Sequence, residues 1–370
     1  MSGLRAPNTA VIAAATRPTP WWRTTWFRWT LAAVVFLVLV VIPFIADPYS
    51  NQTMTRIMMW AVAILGLNVV MGYAGQVSLG QIFFVGVGAY ATAITLKSHW
   101  GVDLGLLGAV IAFVLAAVIP GVLGFLVALA AARLRGIAIA MVTIALPIVG
   151  VPLAKRFSDL TGGAPGISPS SKWFRTPDWL SGLLYDDQYR YLLALVIAGI
   201  VFLLVAFLVR GKFGRAFAIV KANESVASAM GISPYRTKVL AFTIASAIGG
   251  IGGFLYVVVN TFTSPDTLSF PNSINLIIAT IVGGAGTIIG PILGGVYFQL
   301  VTQIPTALQA SQWTTVIQGI VILLVLFLLP GGLASLPRVI RRLTAKRPDR
   351  HVGTGTAPAP IPGNPGTTKE

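Results

Sequence analysis

Asn68, Tyr73, Gln76, Ser78 and Gln81 place amide, phenol and hydroxyl groups in one short stretch threaded by Gly72, Gly75 and Gly80. The segment around them, GLNVVMGYAGQVSLGQIFFVGVGAYATA from Gly66 to Ala93, is otherwise apolar enough for lipid. Neutral donors and acceptors of this kind suit the binding and release of a small polar solute. Backbone that leaves the helix at membrane depth must be buried in protein or line a water-filled path. Membrane transporters commonly place substrate at such discontinuous helices. Small residues also let helices approach closely in lipid, so composition leaves packing and pathway roles both open. A second glycine-broken stretch, Gly283, Gly284, Gly286 and Gly290 beside Pro291, has the same character. The two turns are expected to pack near one another and to border a translocation route through Asn68, Gly72, Tyr73, Gly75, Gln76, Ser78, Gly80, Gly283, Gly284, Gly286 and Gly290.

Enzyme chemistry is poorly supplied. The chain has no cysteine, and its two histidines, His99 and His351, stand in no metal-spacing motif, so neither a disulfide nor a metal centre is expected. Neither a GxxxxGK[ST] phosphate loop nor a GxSxG elbow occurs. All ten acids fall at or beyond the ends of the apolar runs. Proton relays need ionisable groups within the membrane, which argues against a proton-coupled carrier, while sodium coupling through carbonyls stays open.

The elements that must position these residues are membrane helices. Over 370 residues, 56% are hydrophobic and 10% charged, with a mean hydropathy of +0.84. Runs of 18 or more apolar residues recur, and they predict an all-α polytopic membrane protein of about ten spans. Residues 1–29 read as a basic cytoplasmic tail with an aromatic belt, residues 30–330 as the membrane domain, and residues 331–370 as a basic, then disordered, cytoplasmic tail. The span from Gly105 to Ala132 is too long to run straight and is expected to tilt, or to kink near Pro120, and Pro147 and Pro152 are expected to break the later half of theirs. Most of the 26 lysines and arginines fall in segments placed inside. The net charge of +16 is therefore explained by the positive-inside rule, with no nucleic-acid partner.

The stretch Gly214 to Gly231, GRAFAIVKANESVASAMG, reads as one helix of about 18 residues on the inner side. Phe217, Val220, Ala227 and Met230 could share an apolar face, leaving Arg215, Lys221 and Glu224 as polar handles. A helix lying on anionic lipid and a helix docking into another protein's groove both fit this pattern. Glu224 is the sole acid among Arg210, Lys212, Arg215, Lys221, Arg236 and Lys238, which suits a partner groove better than lipid.

Four separated stretches together resemble the permeases of branched-chain amino acid ABC importers, specifically the LivM-like subunit. They are GLNVVMGYAGQVSLGQIFFVGVGAYATA; RLRG at Arg133 to Gly136; LTGGAPG at Leu160 to Gly166; and the run from Gly214 through SPDTLSF at Ser264 to Phe270 to IVGGAGTIIGPILGG at Ile281 to Gly295. The resemblance covers roughly residues 56–330. It implies a pore subunit of the cytoplasmic (inner) membrane, without enzymatic activity or bound cofactor. The implied partners are a LivH-like permease, two cytoplasmic subunits that use ATP, and an extracytoplasmic binding protein that supplies substrate. Gly214, Arg215, Lys221, Glu224 and Gly231 match the family's coupling segment. One departure is Pro147 in TIALPI, which leaves the transported solute open among amino acids, urea and short amides. A stand-alone secondary carrier or channel is the alternative.

Overall fold

An apolar segment can satisfy its backbone in lipid through a helix, and helices dominate this fold. The computed structural model describes residues 25–98, 104–134, 137–169, 174–177, 182–307 and 332–336, with isolated positions between 316 and 327. The helices are α1 Thr25–Ile45, α2 Pro48–Leu67, α3 Gln81–Lys97, α4 Leu106–Ala131, α5 Ile137–Arg156, α6 Asp186–Arg210, α7 Lys212–Ala222, α8 Glu224–Ala229, α9 Pro234–Asn260, α10 Phe270–Gly283 and α11 Gly290–Ala307. Five segments among the described residues are long and apolar enough to cross a membrane: Pro48–Tyr73, Leu107–Ala131, Ala138–Arg156, Asp186–Arg210 and Pro234–Asn260. The expected count of about ten is therefore not reached by these alone. Residues 1–24, most of the expected last span at Thr315 to Leu329, and the tail beyond residue 336 lie outside the described residues.

Pro147 and Pro152 behave differently from expectation. Helix α4 runs through Pro120, and α5 runs through both Pro147 and Pro152 without a break. A carbonyl that proline frees in lipid has no water to turn to, and a spanning helix tolerates proline where neighbouring helices, side chains or small local adjustments satisfy that carbonyl instead. Helix α2 starts where Asp47 caps it, with Pro48 in the first turn, where its missing N–H costs nothing. The Asp47 carboxylate accepts from Ser50 Oγ at 2.7 Å and Ser50 N at 3.2 Å, which holds its pKa below the usual carboxylate range.

Burial separates the centre of the bundle from its rim. The most apolar stretch of α9 is 72% buried and that of α2 is 67% buried, against 28% for each of α4, α5 and α6. Helix α9 packs against α2, α3 and α4. Its contact with α3 depends on glycine: a side chain at Gly88 would overlap the Gly250 backbone, and one at Gly250 would overlap the carbonyl of Ala116 on α4. Close approach of this kind is what holds helices together where lipid is as apolar as the side chains. Gln81, buried at the start of α3, donates to Ala245 O on α9 at 2.9 Å.

At one end of the bundle the loops after α5 and α9 join. Ile167 N donates to Thr263 O at 2.8 Å, and Thr263 N returns to Ile167 O at 2.9 Å. The LTGGAPG and SPDTLSF stretches, about a hundred residues apart, are thus neighbours in space.

Candidate functional site

The first glycine-rich stretch leaves α2 later than its composition suggests. The helix continues past Gly66, and Asn68–Tyr73 winds on as a π-helix before the chain breaks at Ala74. Short π segments recur at functional sites. Asn68 is fully buried and faces the second break. Its Oδ1 accepts from Gly286 N at 2.7 Å, and its Nδ2 donates to Thr287 O at 2.8 Å. Thr287 in turn shapes the second turn: its Oγ1 donates to Gly284 O at 2.8 Å and accepts from Gly290 N at 3.0 Å. The two breaks are therefore in direct contact. A side chain at Gly72 would overlap both Asn68 Oδ1 and Gly286 N.

The chain then turns away from α2. Gly75 has φ +72, a conformation that costs glycine nothing, and a Cβ there would lie 2.6 Å from Lys221 Cγ on α7. Lys221 reaches over this turn, and its ammonium donates to Gly72 O at 2.6 Å. This charge-assisted bond ties α7 to the first break.

Beneath the turn lies a cavity of about 390 Å³, lined by Gln76, Lys221, Glu224 and Lys238 together with Ala74, Val77, Ile139 and Val220. Gln76 is 6% exposed, and its Nε2 is enclosed without a partner. A buried unpaired amide donor is costly, and a lining that contains one is ready to bind an acceptor. Four of the residues predicted for the pathway thus converge: Asn68 and Gly72 at the joint, Gly75 at the turn and Gln76 on the cavity. Gly286 meets them from the other break. Gly283, Gly284 and Gly290 pack within the second turn itself, where a Cβ at Gly283 or Gly290 would overlap backbone. Tyr73 is half-buried and does not line the cavity. Ser78 is buried, but its Oγ accepts from Gly80 N at 3.4 Å, a role in the turn. Gly80 sits against α5, 3.1 Å from Thr143 O where its Cβ would be.

The segment Gly214 to Gly231 is two helices, not one. It breaks at Asn223, which adopts φ −164 and ψ 119, and whose Oδ1 accepts from Ser225 N at 2.9 Å and Val226 N at 3.2 Å. Asparagine offers the backbone this alternative to a continuing helix. The expected apolar face is correspondingly shorter: Phe217, Val220 and Ala227 are buried, whereas Met230, beyond the bend, is 63% exposed. Gly214 packs against Val209, Arg215 is exposed, and Gly231 takes φ +77 just past α8.

Glu224 has a partner within this chain: it pairs with Lys238 at 2.6 Å. The side chain of Lys238 is 6% exposed and that of Glu224 is 41% exposed, so the carboxylate neutralises an otherwise buried cation. An added lysine at position 224 would face Lys238 directly and fail whatever the segment docks against. Lys238 and Thr287 are the residues that sequence reasoning passed over. The signals were present: one acid among six inner-side cations, and one polar side chain in the second glycine turn.

The sequence profile of the branched-chain amino acid transport system permease component family matches residues 50–326. The chain is 30% identical over 328 residues to the high-affinity branched-chain amino acid transport system permease protein LivM of Escherichia coli, covering 83% of this chain and 75% of the relative. It is 29% identical over 323 residues to the LivM protein of Salmonella typhimurium, covering 82% and 74%. It is also 23% identical over 293 residues to the permease protein LivH of E. coli, covering 76% and 92%. No solved structure matches. The extent of these matches, which include both glycine breaks and the segment tied to them, places the chain in the family of branched-chain amino acid transport permeases.

Proposed function

We propose that this chain is a pore subunit of an ATP-driven ABC importer, a transport component and not an enzyme, moving branched-chain amino acids or a related small polar solute. It works beside a LivH-like permease, two cytoplasmic ATP-binding subunits and an extracytoplasmic substrate-binding protein. The partners use the ATP. The observation that carries this reading is the bond from Lys221 to Gly72 O. The segment suited to meet an ATPase is hydrogen-bonded to the same helix break that is joined to the second break. A docking helix transmits force only if its contacts differ between the partner's two states, and here any such shift reaches the break through one bond.

The membrane domain of this subunit covers residues 30–330, with the coupling segment at 214–231 and cytoplasmic tails at 1–29 and 331–370. Its layout of about ten spans takes the five long helices, the shorter apolar helices Phe36–Ile45, Gln81–Lys97 and Phe270–Gly283, helix α11, and the stretch 315–329. Reporter tags at residues 5 and 360 are both expected on the cytoplasmic side. A Ser171→Cys label, beyond the described residues, is expected outside; labelling of that cysteine from the inner face would overturn the layout from α5 onward.

ATP-dependent uptake by the reconstituted complex, screened against amino acids, urea and amides, tests the function. Failure of this chain to co-purify with any ATP-binding subunit, with uptake persisting alone, would mean a stand-alone carrier instead. Gln76→Ala is expected to lower uptake about tenfold, a loss of roughly 1.4 kcal/mol. Its assembly and melting temperature should hardly change, because the amide nitrogen it removes has no partner. Uptake at the wild-type rate would move the path away from this cavity.

A further inference from the structure

Another cavity lies about 18 Å along α2 from Asn68 towards Pro48, at a rise of 1.5 Å per residue. It encloses about 520 Å³ between α2, α9 and α11, within the range of small-molecule sites. Arg56 projects from α2 as part of its lining. A charged side chain inside a spanning segment is costly and marks a functional site when it has no structural partner. Arg56 has none: its Nε is enclosed without a hydrogen bond, and the ion pair found among the described residues is Lys238 with Glu224. Beside it stand the rings of Trp60, Tyr256 and Phe298. Trp60 stacks on Phe298 with centroids 4.0 Å apart and meets Tyr256 edge-on at 6.4 Å. Asn260 and Gln299 add carboxamides to the same wall.

We infer that this cavity is a second solute site, in which Arg56 receives the carboxylate of an amino acid and the aromatic wall receives its aliphatic side chain. A guanidinium is a planar fork that matches a carboxylate in two parallel hydrogen bonds. The carboxamides of Asn260 and Gln299 supply oxygens for the ammonium group. The site lies at the opposite end of α2 from the Gln76 cavity, so a solute bound at Arg56 has yet to pass the joined glycine breaks. This assignment rests on the importer reading above, and it narrows the solute to one with a carboxylate beside an apolar side chain. Urea and simple amides lack the group that Arg56 is placed to bind.

A diazirine-bearing leucine analogue, photolysed with the full chain in phosphatidylcholine nanodiscs, tests it. Label is expected on peptides containing Trp60 or Phe298. Excess leucine should suppress that label, and 3-methylbutylamine, which is leucine without its carboxylate, should not. Arg56→Met should reduce labelling at least about tenfold, as expected when one partner of an enclosed charge pair is removed, and Arg56→Lys should restore part of it. Suppression by the amine equal to that by leucine overturns the carboxylate assignment, with no reliance on how the variants fold. So does labelling in Arg56→Met at the wild-type level. Loss of label on adding phosphatidylglycerol would show that Arg56 holds a lipid phosphate, and would also overturn it. ATP-dependent leucine uptake by the reconstituted complex separates the two readings. Uptake with an unlabelled cavity removes the Arg56 site alone; a labelled cavity without ATP-dependent uptake removes the importer alone.

Discussion

Gly72→Ala is expected to reduce uptake by a hundredfold or more. The added Cβ would overlap Gly286 N and Asn68 Oδ1, and would lie 2.9 Å from Gly286 Cα. The Gly286 atoms are backbone, and Asn68 Oδ1 ends a side chain that two hydrogen bonds hold in place. Either the two breaks separate or Asn68 swings out, and both outcomes forfeit its bonds to Gly286 N and Thr287 O. Overpacking of this kind costs roughly 1–3 kcal/mol. Leaving the buried Asn68 amide unsatisfied adds a similar amount, about 1–3 kcal/mol. Together these correspond to a loss on the order of a hundredfold or more in the population of the joined state. Uptake and the melting temperature of the purified chain should fall together. Gly182→Ala is the control, since a Cβ there meets nothing within 4 Å. Transport by Gly72→Ala at the level of that control would show that the joint has no part in the path.

The second large effect is expected from Lys221→Met, which keeps the aliphatic stem over Gly75 and deletes the ammonium that bonds Gly72 O. A hydrogen bond from a charged group contributes about 1.5–3 kcal/mol. Helix α7 should remain seated, because Phe217 and Val220 hold its buried face. Insertion and basal ATP hydrolysis by the complex should then be close to normal. Substrate-stimulated hydrolysis and uptake should both drop about tenfold. This variant tests coupling better than any change at Glu224, whose removal would strand Lys238 in a largely buried position. Undiminished stimulation in Lys221→Met would remove α7 from the coupling role.

The parts of the fold legible in the sequence were those set by local composition. Helix α3 begins at Gln81 and the second break separates α10 from α11, much as the glycine runs predict. Apolar periodicity on α7 marked Phe217 and Val220 correctly. The misses arose where a choice depended on a partner distant in sequence. Asn223 can continue a helix or cap the next one, and here its side chain caps α8 while Glu224, the first residue of that helix, pairs with Lys238 on α9. Whether Pro147 breaks α5 depends on the medium around its carbonyls. At the candidate site the residue types pointed to Asn68 and Gln76, yet their separate positions, one at the joint and one on the cavity, are tertiary facts. Arg56 lies near the start of an apolar run, where a cation marks the edge of a span as readily as a site. Only the cavity between α2, α9 and α11 sets it inside.

The glycine seam where α9 meets α3 and α4 has a mechanical consequence. Lipid offers those helices surroundings as apolar as their own surfaces, so dispersion between touching atoms holds the seam, with no gain from excluding water. That attraction fades over a fraction of an ångström. An interface with Gly88 against Gly250, and Gly250 against Ala116, therefore cannot slide by a small increment without losing much of its cohesion. The three helices behave as one stiff frame. Opening of the path must be borne outside that frame, at the two glycine breaks, where Lys221 bonds Gly72 O and Asn68 bonds Gly286 N and Thr287 O through hydrogen bonds that can exchange one at a time.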